Sequence, residues 1–298
     1  MTTATLPSRS TSPSRPAGPF RAGRARATTA TRTLVTWFAL AAASAVVLLP
    51  LAWMLSASLR TQGDLVGSPS SLIPTNVTFE NYVEIWQLIP FGRLFLNTVV
   101  FAGVVACVSV VIDAMAGYAL ARFDFPGRTF VFVALVATLL VPIQVTFVPV
   151  YSLLIDLGWV NTLHGLIVPR IADAFGIFFL RQYFLALPKD LEDAARIDGA
   201  SEVRIFRSIM FPLAGPALLT IFMFNLVGNW NDLLWPLIVM SDPQSTTLPV
   251  GLALFRGQHV IEYGPLMAGS VLALIPMVIA FVVVQRRFIE SIATTGIK

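Results

Sequence analysis

Asn225, Asn229 and Asp232 recur at i, i+4 and i+7, close to Trp230 and Trp235. On a helix this spacing gathers the three polar groups on one face. Amides and a carboxylate placed together in a span can face a cavity and offer hydrogen bonds to a polar solute. The competing expectation is that these groups pair with neighbouring helices. Trp230 and Trp235 cannot share that stripe, so at least one should pack away from it. Arg170 and Asp173, three apart, are expected to pair with each other. Asp113 should face other helices or a water path, because facing lipid would be costly.

Other reactive residues are few. The two lysines, Lys189 and Lys298, do not follow a glycine as a nucleotide-binding P-loop requires. His164 and His259 lie on separate segments without metal-ligand spacing, so no metal site is expected. Ser270 has no histidine in its own segment to serve as base. Cys107, the single cysteine, excludes an intramolecular disulfide framework and reads as a small packing residue. No residue is assigned a catalytic role, no cofactor is expected on this chain, and it is not expected to be an enzyme.

The composition says what must position these groups. Of 298 residues, 56% are hydrophobic and 12% charged, against about 25% charged in ordinary soluble domains. Mean hydropathy is +0.78. Apolar runs long enough to cross a bilayer fall at about 34–57, 94–120, 129–152, 164–187, 211–240 and 263–285. The expectation is an all-α membrane protein with six transmembrane helices. Segments 1–33, 121–128, 181–209 and 286–298 carry sixteen of the twenty basic residues, which places them, and both termini, in the cytoplasm. In so apolar a chain the basic excess marks cytoplasmic loops, and no nucleic-acid partner is expected.

Residues 1–33, rich in Ser, Thr, Pro, Ala and Arg, read as a disordered basic tail, and 34–298 as one six-span domain. The run after the tail is too long for the apolar core of a signal peptide, so the first helix reads as an uncleaved anchor despite Ser56-Ala57-Ser58. Between the first two runs, an outer loop over about 61–93 holds a short amphipathic helix after Thr78, with Tyr82, Ile85 and Trp86 on one face. A second outer segment, about 241–263, contains Phe255, Arg256, Gly257 and His259.

The cytoplasmic loop 188–212 is the most informative segment. Pro188 stops the preceding span, and Asp190 is placed to cap a short helix whose first turn holds Glu192 and Asp193. Gly199 suits the left-handed position that ends such a helix, and Ser201 can cap the next one. Leu191, Ala194, Ala195 and Ile197 would give the short helix a smooth apolar surface. Its basic and acidic residues balance, which suits a protein partner better than anionic lipid. A plain linking helix is the alternative.

Asp193-Ala194-Ala195, Gly199 and Ile209-Met210-Phe211-Pro212 match the spacing of the EAA loop in permease subunits of binding-protein-dependent ABC importers, with Asp for Glu and Phe for Leu. Phe95-Leu96-Asn97-Thr98, Ala116-Gly117-Tyr118-Ala119-Leu120-Ala121-Arg122-Phe123, Phe125-Pro126-Gly127-Arg128, Asn229-Trp230-Asn231-Asp232, Leu234-Trp235-Pro236-Leu237 and the ending Thr295-Gly296-Ile297-Lys298 resemble its carbohydrate-uptake branch, which includes the smaller maltose-type subunit. The resemblance implies a type I importer fold in a bacterial plasma membrane, multi-pass and surrounded by lipid. It implies four kinds of association: a second, homologous permease subunit, an ATPase dimer that holds the ATP and Mg, an extracytoplasmic sugar-binding protein, and a sugar as cargo. In that setting Asp193, Ala194, Ala195, Gly199, Leu191, Ile197 and Pro212 would form the ATPase-coupling loop. Asn225, Asn229, Asp232 and Trp230 would border the solute path. Phe255, Arg256 and Gly257 would meet the binding protein. The competing class is a proton-coupled carrier using Asp113 or Asp232, disfavoured by the lack of internal repeats.

Overall fold

The computed structural model describes residues 22–258 and 262–295. The first part of the basic tail, His259 and Gly296-Ile297-Lys298 lie outside them. The chain divides into two compact units between Ala52 and Trp53.

Helix α1 (Ala22–Ser58) begins inside the stretch expected to be unstructured. Ala and Arg favour helix, and residues 22–33 extend an apolar helix whose costly first turn is already formed. Leu34 to Leu49 expose their side chains along it, which is the condition of a helix that meets hydrocarbon.

The rest is built around α4. After α2 (Gln62–Gly67) and α3 (Glu80–Leu88), α4 (Phe91–Arg122) runs unbroken for 32 residues, about 48 Å at 1.5 Å per residue. Its buried residues recur every three or four positions, from Leu94 through Thr98, Phe101, Val105, Ser109, Asp113 and Gly117 to Ala121. Small residues on this stripe let other helices approach closely. A Cβ on Gly117 would lie 2.9 Å from the Arg181 backbone nitrogen and 3.1 Å from the Ile177 carbonyl. Overpacking at such a point costs about 1–3 kcal/mol. Gly117→Val is therefore expected to lower the thermal midpoint of the purified protein by several degrees, whereas the same change at Gly103, which has open space around it, should leave it unmoved. Cys107, expected to pack, is exposed on the outer side of α4.

The third span is not one helix. Segment α5 (Arg128–Thr138) is followed by Ile143–Asp156, of which α6 is Phe147–Asp156, and the two halves bend by 97°. Pro142 lacks an N–H and disfavours helix at Val141, so the break falls there. The fourth span also breaks: α7 (Leu163–Ile167) continues as a tighter turn through Val168–Arg170, and α8 (Ala174–Ala186) begins after the non-helical residues 171–173. Two cytoplasmic-loop helices follow, α9 (Asp190–Ile197) and Glu202–Leu213, called α10, which contains a π turn over Phe206–Met210.

The fifth span, expected over 211–240, is divided. Residues 211–213 belong to α10, and α11 (Gly215–Trp230) leaves it at 76° beside Pro212 and Pro216. At its other end, Asn231 Nδ2 donates to the Val227 carbonyl while Asp232 Oδ1 accepts from the Trp235 N–H, starting the separate α12 (Leu234–Val239). Short polar side chains compete for the backbone in this way and end helices. Helix α13 (Leu248–Gln258) lies in the second outer segment, and α14 (Tyr263–Thr295) is the last span. Four stretches pass as spans, Leu163–Ala186 counted as one across its break, and the two bent pairs bring the total to six among the described residues. No strand occurs among them beyond an isolated Arg60–Val77 bridge.

The outer loop is ordered by a buried cation. The Arg60 guanidinium donates to the Ser71, Asp64 and Ser68 carbonyls at 2.7–3.1 Å, and Asn81 Nδ2 holds the Ser58 and Arg60 carbonyls at 2.9 Å. Helix α3 thus buries Asn81 and Ile85, while Trp86, expected on that face, is exposed.

Candidate functional site

The short helix α9 is delimited by its own chemistry. Its N-terminal boundary residue is Lys189, which already has helical angles, so Asp190 lies inside the first turn instead of capping it. Asp190, Glu192 and Asp193 there complement the helix dipole. At the other end Gly199 has φ +80°. Its N–H donates to the Arg196 carbonyl at 3.0 Å, and the Ala200 N–H to Ala195 at 2.9 Å. These two bonds are the Schellman closure, which needs a left-handed residue at that point. Ser201 Oγ then accepts from the Arg204 N–H and starts α10.

Side chains tie the two helices together. Arg196 makes a bidentate pair with Glu202 at 2.7 and 3.1 Å and reaches Asp193 Oδ1 at 2.8 Å. The Arg196 hydrogen bond holds the Glu202 carboxyl below its usual range, and the Glu202 bond raises the Arg196 guanidinium further.

The apolar surface expected on α9 divides in two. Leu191, Ala194 and Ile197 are exposed, Ile197 by 87%, whereas Ala195 is buried with Tyr118, Phe184 and Ile205. Successive residues on a helix point about 100° apart, so Ala194 and Ala195 cannot face the same way. Asp193, Gly199 and Pro212 are exposed. Glu192, expected only as an acid in the first turn, is 1% exposed. It meets Arg122 of α4, with Nε and Oε1 2.6 Å apart in an ion contact lying off the N–H axis. Arg122 at a span end and an acid in a first turn were both visible, but nothing local joins them.

A second polar arrangement lies between the fourth and fifth spans. Asn225, Asn229 and Asp232 border one cavity of about 300 Å³ with Ile143, Pro169, Arg170, Ala172, Asp173 and Phe224. Asn229 is buried and donates to the Asn225 carbonyl at 2.8 Å. The expected pairing of Arg170 with Asp173 is replaced. Arg170 pairs with Asp232 Oδ2 across the cavity rim, and its guanidinium lies 5.9 Å from the Trp235 ring centroid. Asp173 instead caps α8, accepting from the N–H groups of Phe175 and Gly176. The helical turn that carries Arg170 ends at Ile171 and Asp173 is extended, so the i, i+3 geometry on which the first pairing relied does not exist there. Trp230 turns away from the cavity: it is buried, donates to the Ala273 carbonyl at 3.2 Å and packs edge-on to Phe95. Trp235 is also packed, donating to the Leu166 carbonyl. Asp113 faces helices: it is fully buried, one oxygen accepting the Asp173 N–H at 3.0 Å.

On α13, Phe255 is 3% exposed and Arg256 exposed, with Gly257 in the same helix. Leu248, Gly251 and Phe255 share one inward face, and Gly251 abuts Leu94, so the expected Phe255 contact surface is buried. Ser270 Oγ donates to the Leu266 carbonyl. Among the described residues no three His, Cys, Asp or Glu groups gather to hold a metal.

Breaks in successive spans with a polar cavity beside them are features of membrane transport proteins. Over residues 33–293 the chain matches the family described as binding-protein-dependent transport system inner membrane component, and it belongs to that family. It is the multi-pass, membrane-spanning permease component of a bacterial ABC importer, not itself an enzyme, and such components work with an ATPase and a substrate-binding protein. It is 38% identical over 256 residues to the arabinooligosaccharides transport system permease protein AraQ of Halalkalibacterium halodurans, covering 85% of this chain and 92% of that one. It is 36% identical to the diacetylchitobiose uptake system permease protein NgcG of Streptomyces coelicolor, covering 84% of each. A chain from the crystal structure of a bacterial ABC transporter involved in the import of the acidic polysaccharide alginate shares the fold, with TM-score 0.75 and 23% identity over 91% of this chain and all of that one.

Proposed function

We propose that this chain moves a sugar, delivered by an extracytoplasmic binding protein, through alternating access driven by an ATPase dimer bound at α9. A second, homologous permease subunit completes the path, and lipid surrounds the six spans. Residues 34–298 form the permease domain, 1–33 a cytoplasmic tail, and both termini face the cytoplasm, as the distribution of basic residues supports. ATP and Mg belong to the ATPase. The observation carrying this reading is the outward stripe of Leu191, Ala194 and Ile197 on a helix closed at Gly199, with Asp193 beside it and Pro212 at the following bend. A small apolar stripe of this kind fits a groove on a protein.

Asn225, Asn229 and Asp232 border the solute path together with Arg170 and Asp173, which add charged hydrogen-bonding groups, and Phe224, 64% exposed, offers a ring face. Arg256 on the outer helix α13 is the charged contact for the binding protein. Of the aspartates a proton-coupled carrier would need, Asp232 is held in an ion pair with Arg170.

The test is gentle solubilisation and affinity purification of the tagged chain. Recovery of a second multispan chain and two P-loop ATPase chains per copy is the expected result. Recovery of the chain alone or as a homo-oligomer, under several mild detergents, would overturn the assembly.

A further inference from the structure

Resting on the reading of α9 as the ATPase contact, we infer that Glu192 and Arg122 form the junction through which α9 drives α4 directly. Along the chain, α9 is joined to α8 through Leu187-Pro188 and to α10 through the closed turn at Gly199. Neither of these links reaches α4, and a buried side-chain pair does. The Arg122 and Glu192 side chains are 3% and 2% exposed, and their charged groups are 2.6 Å apart.

Each end of the junction is anchored again. Arg122 Nη2 donates to the Leu187 carbonyl at 2.8 Å, fixing the guanidinium against the end of α8. Glu192 Oε2 lies 3.4 Å from both the Tyr118 hydroxyl and Arg196 Nη2, and Arg196 carries the bidentate pair to Glu202 of α10. Tyr118, one turn before Arg122, packs on Phe184 of α8 and Phe206 of α10 with ring centroids 5.4 and 5.1 Å apart. Separating two charges held out of water leaves each uncompensated, the costly way to break such a pair. The junction therefore stays closed through a transport cycle, and α9 and the inner end of α4 move as one body. Glu192 and Arg122 are positioning residues. They touch neither sugar nor nucleotide and act by making α4 follow the docking helix.

The experiment uses the whole reconstituted importer, reading co-purified ATPase and sugar transported per ATP hydrolysed. Ile197→Asp, on the outward stripe, is expected to release the ATPase; retention of a full complement would overturn the docking reading itself. Glu192→Gln is expected to keep ATPase binding within about twofold while transport per ATP falls at least tenfold, with Glu192→Asp restoring part of it. Normal coupling in Glu192→Gln, with Ile197→Asp still releasing the ATPase, would overturn the junction and leave docking intact. Spin labels on native Cys107 and on Lys189→Cys, both exposed, supply a readout that does not depend on that variant's yield, provided the partner chains carry no cysteine. Their separation should be the same with and without ATP; a nucleotide-dependent change between α4 and α9 would overturn the proposal.

Discussion

Sugar uptake by an Asp232→Ala variant is expected to fall about a hundredfold. The carboxylate does two things at once. Oδ2 pairs with Arg170 of the fourth span, and Oδ1 accepts the Trp235 N–H that starts α12 after the break in the fifth. Truncation leaves the Arg170 guanidinium at the cavity rim without its partner and removes the start of a helix buried against α7. The side chains are 20% and 15% exposed, so a figure of roughly 3 kcal/mol, the low end for a buried pair broken on one side, is appropriate. The control is Arg170→Gln with Asp232→Asn, which removes both charges and keeps hydrogen-bonding shape. If the ion pair fastens the two spans, this double variant should assemble normally and recover at least part of uptake. Uptake in Asp232→Ala indistinguishable from the unaltered chain would remove both the fastening and the cavity from the mechanism.

The second large effect belongs to Gly199. Its surroundings are open, so space does not demand glycine, but φ +80° does. A left-handed angle costs an ordinary residue about 1–2 kcal/mol, and Asn least among them. Substituting Asn, Ala and Val should therefore produce graded loss of coupled transport, mildest for Asn and greatest for the β-branched Val. Loss of the Schellman closure turns the outward stripe of α9 relative to α10, so in Gly199→Val co-purified ATPase should fall with it. Equal performance by all three variants would mean that the turn has no part in coupling.

The local features of this chain were legible from residue order. Gly199 and Ser201 act where helix-ending and helix-capping chemistry places them. Asp113 faces helices because an acid in a span has few other options. What could not be read was the result of chain breaks and of distant partners. The pairing of Arg170 with Asp173 presumed a continuous helix, and the chain leaves the helix between them, at Ile171. Asp232 lies 62 residues from Arg170, and Glu192 meets Arg122 only because α8 returns the chain to the foot of α4. The 97° and 76° bends were foreshadowed by Pro142 and by Pro212 with Pro216. A proline, though, marks where a helix yields without stating by how much. Trp230 and Phe255 read as available for contact because hydropathy does not distinguish a ring facing a cavity from one facing a neighbour.

Every span except α4 contains proline: Pro50 in the first, Pro142 and Pro149, Pro169, Pro212 and Pro216, and Pro276 in the last. Bending compliance is therefore concentrated in five members, while one remains a stiff strut. At its outer end that strut carries the approach to α13, since Asn97 Nδ2 donates to the Ser245 and Thr246 carbonyls and Thr98 Oγ1 accepts the Leu248 N–H. For a rod of about 48 Å, a tilt of roughly 5° displaces one tip by about 4 Å relative to the other. Rotation at the cytoplasmic tip thus arrives at the opposite surface as a translation, undiminished by any joint on the way.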